Sequence, residues 1–436
     1  MTEQTRTHNL RAIKISPRWL IAVFPLTALI LFLLLPRLGQ VVGLDYGISF
    51  ADGYDLIANN LAQGNGFRIQ TNTSETMMRE PGYPLFLAAA FKLGGYSLST
   101  VRWANWLLSI GIAFLLYRLA HRITNDVLTS FLATLLFLFW PATLISEARG
   151  GVEILFILVV LVFILLVHSA VSKGGLWRYA VAGLALGVVV QVRSTPMVFP
   201  FFLFIYLLFA GFRKRWGQAI LNTGVLTCGM VLVMTPWIIR NYRLVHHIVP
   251  TATVQGVALQ EGQYTCQHMT LSDDFYAVQR QAGLKRAAIA TELGLSFEGA
   301  YYYQIFYNPQ QEWYFNKYLL ENAKNQYLQH PALLVGCSTK NLFNYWFLGK
   351  NRHATLMNLV VQIPLLAVAG WGFVLLWKQN RLSTMGILIA FMCCIIAVHL
   401  PTIAHARHSV PLIPFLVIPA SIAILSLIPG RNSQTA

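Results

Sequence analysis

Runs of about twenty apolar residues recur along this chain, and no other feature limits its fold so tightly. In hydrocarbon every backbone N–H and C=O must be satisfied within the protein, and a helix satisfies its own. About 20 helical residues cross a core ~30 Å thick. Ten spans are expected, at 19–38, 99–120, 127–145, 152–171, 178–192, 197–212, 219–237, 355–377, 383–400 and 409–428. Charged residues make up only 11%, against roughly 25% in an average soluble domain. The expected fold class is an all-α polytopic membrane protein with about ten transmembrane helices. Arg6, Arg11, Lys14 and Arg18 precede a first apolar run with no small-residue cleavage site behind it, which reads as a retained anchor. The net charge of +16 is spread over spans and end-loops, as topology and lipid-headgroup contacts require. No nucleic acid partner is expected.

The basic residues also orient the chain. Fourteen of them fall at the N-terminus, at the C-terminal tail and in alternate short loops, such as Arg213-Lys214-Arg215. The short loops opposite, 146–151, 193–196 and 401–408, hold one Arg each. The positive-inside rule then makes both termini cytoplasmic, in a multi-pass protein of the plasma (inner) membrane. Three parts are expected: an N-terminal transmembrane module, 1–237, with an outward first loop at 43–98; an extracytoplasmic loop domain, 238–354; and C-terminal helices, 355–436. Within the loop domain 312–328 reads as an amphipathic helix able to rest on the membrane interface. Cys266 and Cys337 both fall there, and a disulfide between them is open if that side is oxidising. No inverted repeat or matched pair of broken spans is visible, which counts against a transporter.

Carboxylates are costly near hydrocarbon, so their clusters carry meaning. The stretch 43–88 holds five of the sixteen acids, Asp45, Asp52, Asp55, Glu75 and Glu80, and ends in Pro81-Gly82-Tyr83-Pro84. Asp52 stands at or near the start of an expected short helix, 54–62. It reads either as a helix cap or as a reactive carboxylate, and Asp55 as a solvated or supporting group. Glu153 opens a span otherwise apolar to Val167. It is either an acid stabilised by the helix dipole or a polar group facing a cavity. Arg79, Arg193, Arg240 and Arg407 stand at outer ends of spans or loops, as snorkelling anchors or as phosphate ligands. His399, His405 and His408 crowd the last mouth with no carboxylate near them in sequence, so headgroup contacts are favoured over a metal site.

Two stretches carry a resemblance: Asp52-x-Tyr54-x-x-x-Ala-x-x-Leu-x-x-Gly-x-Gly-Phe, and Arg79-x-Pro81-Gly82-Tyr83-Pro84-Leu-Phe-Leu-Ala88. Glu153-Ile-Leu-Phe, Thr235-Pro236-Trp237-Ile-Ile-Arg240-Asn241-Tyr242 and Arg407-His408 with Pro411 and Pro414 follow in order. Together they resemble the bacterial dolichyl-phosphate-mannose-protein mannosyltransferase-type enzymes, membrane glycosyltransferases of the GT-C type that use polyprenyl-phosphate sugars. The resemblance implies that Asp52 is the catalytic base. The family usually has Arg-Tyr where this chain has Arg407-His408, and Thr-Glu where it has Val152-Glu153.

The chemistry is consistent with that. No phosphate-cradling Gly-x-x-x-x-Gly-Lys-Ser/Thr loop is present, and no nucleotide sugar reaches the outer face, so a donor arrives on a lipid phosphate. A phosphate leaves as a stable anion, so one carboxylate that deprotonates the acceptor is enough. The expectation is inverting transfer from a polyprenyl-phosphate sugar to a lipid, glycan or protein acceptor. Asp52 and Glu153 are the catalytic candidates. Arg407, Arg240 and Arg79 are candidates for the donor phosphate, supported by Tyr54, Asp55, Arg193, Tyr83 and His408. No cofactor or metal is expected. A polymerase or ligase of lipid-linked saccharide is the runner-up, and a lipid-linked sugar transporter or flippase the rival from another class.

Overall fold

The computed structural model describes residues 23–31, 33–34, 53–209, 216–270, 273–299 and 304–428. Residues 23–31 are helical. The first loop follows with α1 (Tyr54–Ala62) and α2 (Gly82–Gly94). Next come α3 (Leu98–Thr124), α4 (Val127–Leu138), α5 (Pro141–Arg149), α6 (Val152–Lys173), α7 (Leu176–Val192), α8 (Phe199–Leu207) and α9 (Trp216–Val245). A polar region holds α10 (Gln255–His268), α11 (Phe275–Glu292), a ribbon of β1 (Phe297–Glu298) and β2 (Ile305–Phe306), α12 (Pro309–Gln329) and α13 (Pro331–Phe347). The chain closes with α14 (Arg352–Lys378), α15 (Gly386–His399) and α16 (Ile413–Ser426).

Six helices among the described residues are long and apolar enough to cross a membrane. The α4–α5 pair makes a seventh if counted as one span, and the 176–192 and 195–207 segments are shorter apolar helices. The chain is therefore a multi-pass α-helical membrane protein. One detail differs from the expected straight span at 127–145. The helix breaks at Phe139-Trp140 and bends by 52° before Pro141. Proline lacks the N–H that would continue the ladder and sits readily at a first helical position.

Where helices in lipid gain little from hydrophobic exclusion, small residues let backbones approach. On α7, Gly183 and Gly187 lie one turn apart against α9. An added Cβ at Gly187 would stand 2.7 Å from the Met230 carbonyl, and one at Gly229 2.7 Å from that of Ala180. Gly372 of α14 meets the Pro419 backbone of α16 in the same way. The apolar core runs through α3, α6, α7, α15 and α16.

In the polar region, α12 buries Phe315, Leu319, Ala323 and Tyr327 against α10. Its outward face carries Lys317, Glu321, Lys324 and Asn325 beside the exposed Tyr314 and Leu328, so the main apolar stripe of 312–328 is covered by protein. An apolar stripe looks the same in sequence whether protein or lipid covers it. Apolar side chains are also exposed on α13, through Val335, Leu342 and Phe343. Cys266 of α10 and Cys337 of α13 form a disulfide that closes a separation of 71 residues. Cross-linking a loop of this size is worth roughly 2–4 kcal/mol, chiefly by restricting the unfolded chain. Cys266→Ser with Cys337→Ser is expected to lower stability by that order, seen as an earlier unfolding transition of this region in detergent; an unchanged transition would show that helix packing alone holds it.

Candidate active site

The first-loop corner explains itself residue by residue. Gly82 opens α2 against the end of α7, where an added Cβ would stand 2.7 Å from the Gln191 carbonyl. Only glycine fits there. The next residue, Tyr83, is buried, and its hydroxyl donates a short hydrogen bond to the Gly150 carbonyl. The last carbonyls of a helix have no partner within it, and those closing α5 are taken up by three side chains. Tyr83 holds Gly150, Arg102 Nε donates to Ala148 O at 3.1 Å, and Asn105 Nδ2 donates to Glu147 O at 3.1 Å. Burial, and then the charge of Glu153, push the Tyr83 phenol well above its ordinary pKa, so it remains a donor.

That corner delivers Glu153. The chain turns through Gly150 at φ 69° and Gly151, and α6 begins. A Cβ on Gly151 would run into the Glu153 carboxylate. Glu153 lies in the first turn of α6 with 1% of its side chain exposed, near the positive end of the helix dipole. Two arginines close on it. Arg407 Nε donates to Oε1 at 2.6 Å and Nη2 to Oε2 at 3.4 Å, and Arg193 Nη1 lies 3.7 Å from Oε1. A charge this deep is retained only with such partners.

Glu153, Arg193 and Arg407 thus come together at one end of the bundle, where α6 starts, α7 ends and the turn into α16 passes. Arg407 is 37% exposed and Arg193 19%, so both side chains reach the surface of this mouth. Beside it His408 is buried, with its Nδ1 unpartnered and its carbonyl accepting from Tyr345 at 2.9 Å. The rings of His399, His405 and His408 gather at 4.5 and 4.2 Å. Among the described residues no group of three or more His, Cys, Asp or Glu is arranged to hold a metal ion.

The other first-loop residues form a second layer. Arg79 lies under Tyr54, its guanidinium 5.2 Å from the ring, and Tyr54 meets Tyr83 edge-on at 5.3 Å. Glu80 accepts from the Ser194 amide at 3.2 Å, tying this strap to the residue after Arg193. Arg240 takes partners other than the Glu153 group. It bonds Thr76 O at 2.8 Å and Glu75 at 3.3 Å, and stacks against Trp237 at 4.6 Å. Asp55 is buried rather than solvated, with Oδ2 accepting from Tyr96 at 2.7 Å, and burial raises its pKa. Asp45 and Asp52 lie outside the described residues. The cap position of α1 falls to Gly53, at φ 74°.

Glu312 is a site-linked acid that the sequence reading missed. It reads as an ordinary acid in the first turn of α12, and nothing at 312 points to partners more than 230 residues away. It accepts from Thr76 Oγ1 at 2.8 Å, from the Met77 amide at 2.9 Å and from the Thr253 hydroxyl. It fixes the strap that runs into Arg79. Burial raises its pKa against the lowering effect of those donors. The folded protein therefore holds this proton more tightly than the unfolded chain does. Stability is full below the ordinary glutamate range and falls as pH rises through the raised value. Unfolding temperatures at a series of pH values are expected to show this slope in the wild type and a flatter one in Glu312→Gln. Equal slopes would remove Glu312 as its source.

Residues 78–239 match the family model described as Dolichyl-phosphate-mannose-protein mannosyltransferase. The match takes in Arg79, the Pro-Gly-Tyr-Pro corner, Glu153 and Arg193, and stops short of Arg240 and Arg407. The likeness to mannosyltransferase-type membrane enzymes expected from the motifs is thus borne out over a little more than a third of the chain. Two structures of ArnT from Cupriavidus metallidurans align with it. The form bound to undecaprenyl phosphate covers 94% of this chain and 78% of its own, at 13% identity and a TM-score of 0.40. The apo form covers 85% and 77%, at 14% identity and a TM-score of 0.34. No curated protein matches the chain.

Proposed function

We propose that this protein is an inverting glycosyltransferase that moves one sugar from a polyprenyl-phosphate donor to an acceptor at the extracytoplasmic face. The observation that carries the reading is the Glu153–Arg193–Arg407 group. Two guanidiniums at one mouth of the bundle, ordered by a buried carboxylate and partly exposed, suit a phosphate that must leave as an anion. Fixed positive charge where negative charge develops is the main catalytic resource in such a site. Arg407 and Arg193 hold the donor phosphate, Glu153 keeps them aimed, and Tyr83 sets Glu153. Asp52 takes the acceptor proton. Arg79, Tyr54 and His408 line the approach, and Arg240 braces the first-loop strap through Glu75 and Thr76.

Both termini are cytoplasmic in this reading, and 43–98 and 238–354 face outward as catalytic loop and loop domain. The Cys266–Cys337 disulfide supports that side, since disulfides persist in oxidising compartments. Cells lacking the gene are expected to accumulate a polyprenyl-phosphate sugar and to lose that sugar from one envelope product, as read by mass spectrometry of lipid-linked saccharides and glycoconjugates. Accumulation of a lipid-diphosphate saccharide instead would favour a polymerase or ligase.

A further inference from the structure

A groove of about 460 Å³ opens between α10, α11 and α12. Its walls are dominated by carboxamides. Gln260, Gln263 and Gln267 follow at i, i+3 and i+7 along α10 and so share one face, opposite Asn322 and Gln326 of α12. Gln263 is committed to the fold, donating to Ala323 O at 2.7 Å, and Gln260 accepts from Arg286 at 3.1 Å. The side chains of Gln267, Asn322 and Gln326 are exposed and make no hydrogen bond within the described residues. Lys285 is the one charged lining residue, and its ammonium lies 5.7 Å from the Tyr264 ring. His268 stacks on that ring at 4.1 Å, so Tyr264 offers its hydroxyl rather than a free face.

We propose that this groove is a saccharide subsite that holds acceptor units distal to the one receiving the sugar. A carboxamide both donates and accepts, as a sugar hydroxyl does, so such a wall matches a run of hydroxyls without selecting for charge. Lys285 would take one anionic substituent. An extended peptide is less well served, because it is captured by pairing with a free strand edge, and these walls are helices. The position also fits. The opposite face of α10 carries Gly262, where an added Cβ would stand 2.6 Å from the Ile403 amide. Tyr327 of α12 donates to the Pro401 carbonyl at 2.9 Å. The groove thus lies about one helix diameter, ~10–12 Å, from the turn that leads to Arg407.

The acceptor role rests on the function proposed above, but saccharide binding does not, and the test separates the two. The probe is the pool of oligosaccharides released by mild acid from the envelope of the cells that make the protein, added to the full chain in detergent. Saturation-transfer NMR is expected to show binding that falls about tenfold or more in Gln267→Ala with Asn322→Ala, given two lost hydrogen bonds. Both positions are exposed, and an unchanged unfolding temperature verifies that the variant folds. Release of polyprenyl phosphate from a synthetic donor is expected to fall at limiting acceptor and to return to the wild-type rate at saturating acceptor. Binding unchanged in the variant, no binding to the wild type, or displacement by envelope peptides instead would overturn the subsite. If saccharide binds as expected but no donor is ever cleaved, the subsite stands and the transferase reading falls.

Discussion

Asp52→Asn is expected to lower sugar transfer roughly 10²–10⁴-fold, the usual worth of a general base, with normal expression and membrane insertion. Asn keeps the size of the side chain and loses only the capacity to take a proton. The rival explanation of an acid at this point, a helix cap, predicts near-normal activity for Asn, since the two residues cap about equally well. The cap position of α1 is Gly53, so a stability cost by that route is not expected. Asp55→Asn is the comparison. Its Tyr96 hydroxyl still finds an acceptor, and transfer is expected to stay far closer to the wild type. Should Asp52→Asn turn over at the wild-type rate, Glu153 and Asp45 become the acids to test.

Arg407→Ala is expected to lower kcat/KM for the donor by roughly 10²–10³-fold, the usual worth of one fixed donor aimed at developing negative charge. Among the described residues Glu153, with 1% of its side chain exposed, would keep only Arg193 at 3.7 Å. Arg407→Lys restores charge but not the fork through which Nε and Nη2 reach both oxygens of Glu153. Its activity should fall between the other two. Full activity of both variants at limiting donor would make Arg407 an interfacial anchor.

The spans were legible because hydrocarbon leaves the backbone almost no choice, and helices cover 98–124, 152–173, 216–245, 352–378 and 406–426 near the expected places. The individual members of the site were legible for a related reason. A charge at the mouth of an apolar span is costly, which singled out Glu153, Arg193 and Arg407 one by one. Their convergence was not, because Glu153 and Arg407 lie 254 positions apart and spacing carries no signal at that range. The same holds for Glu312, two of whose partners, Thr76 and Met77, lie in the first loop. Arg240 was grouped with the phosphate ligands on its position at a span end, and the Glu75 carboxylate that engages it was invisible until the loop was folded back. The bend before Pro141 had its signal in plain view, in a proline at the middle of an apolar run.

The most direct measurement follows a radiolabelled sugar on synthetic polyprenyl phosphate with the purified protein, an envelope extract as acceptor source, and the lipid-diphosphate-linked sugar in parallel. The account predicts that label leaves the phosphate-linked donor, that free polyprenyl phosphate appears in equal amount, and that Arg407→Ala and Asp52→Asn suppress both. Consumption of the diphosphate-linked sugar alone, or movement of intact labelled lipid across a vesicle membrane without cleavage, would contradict it.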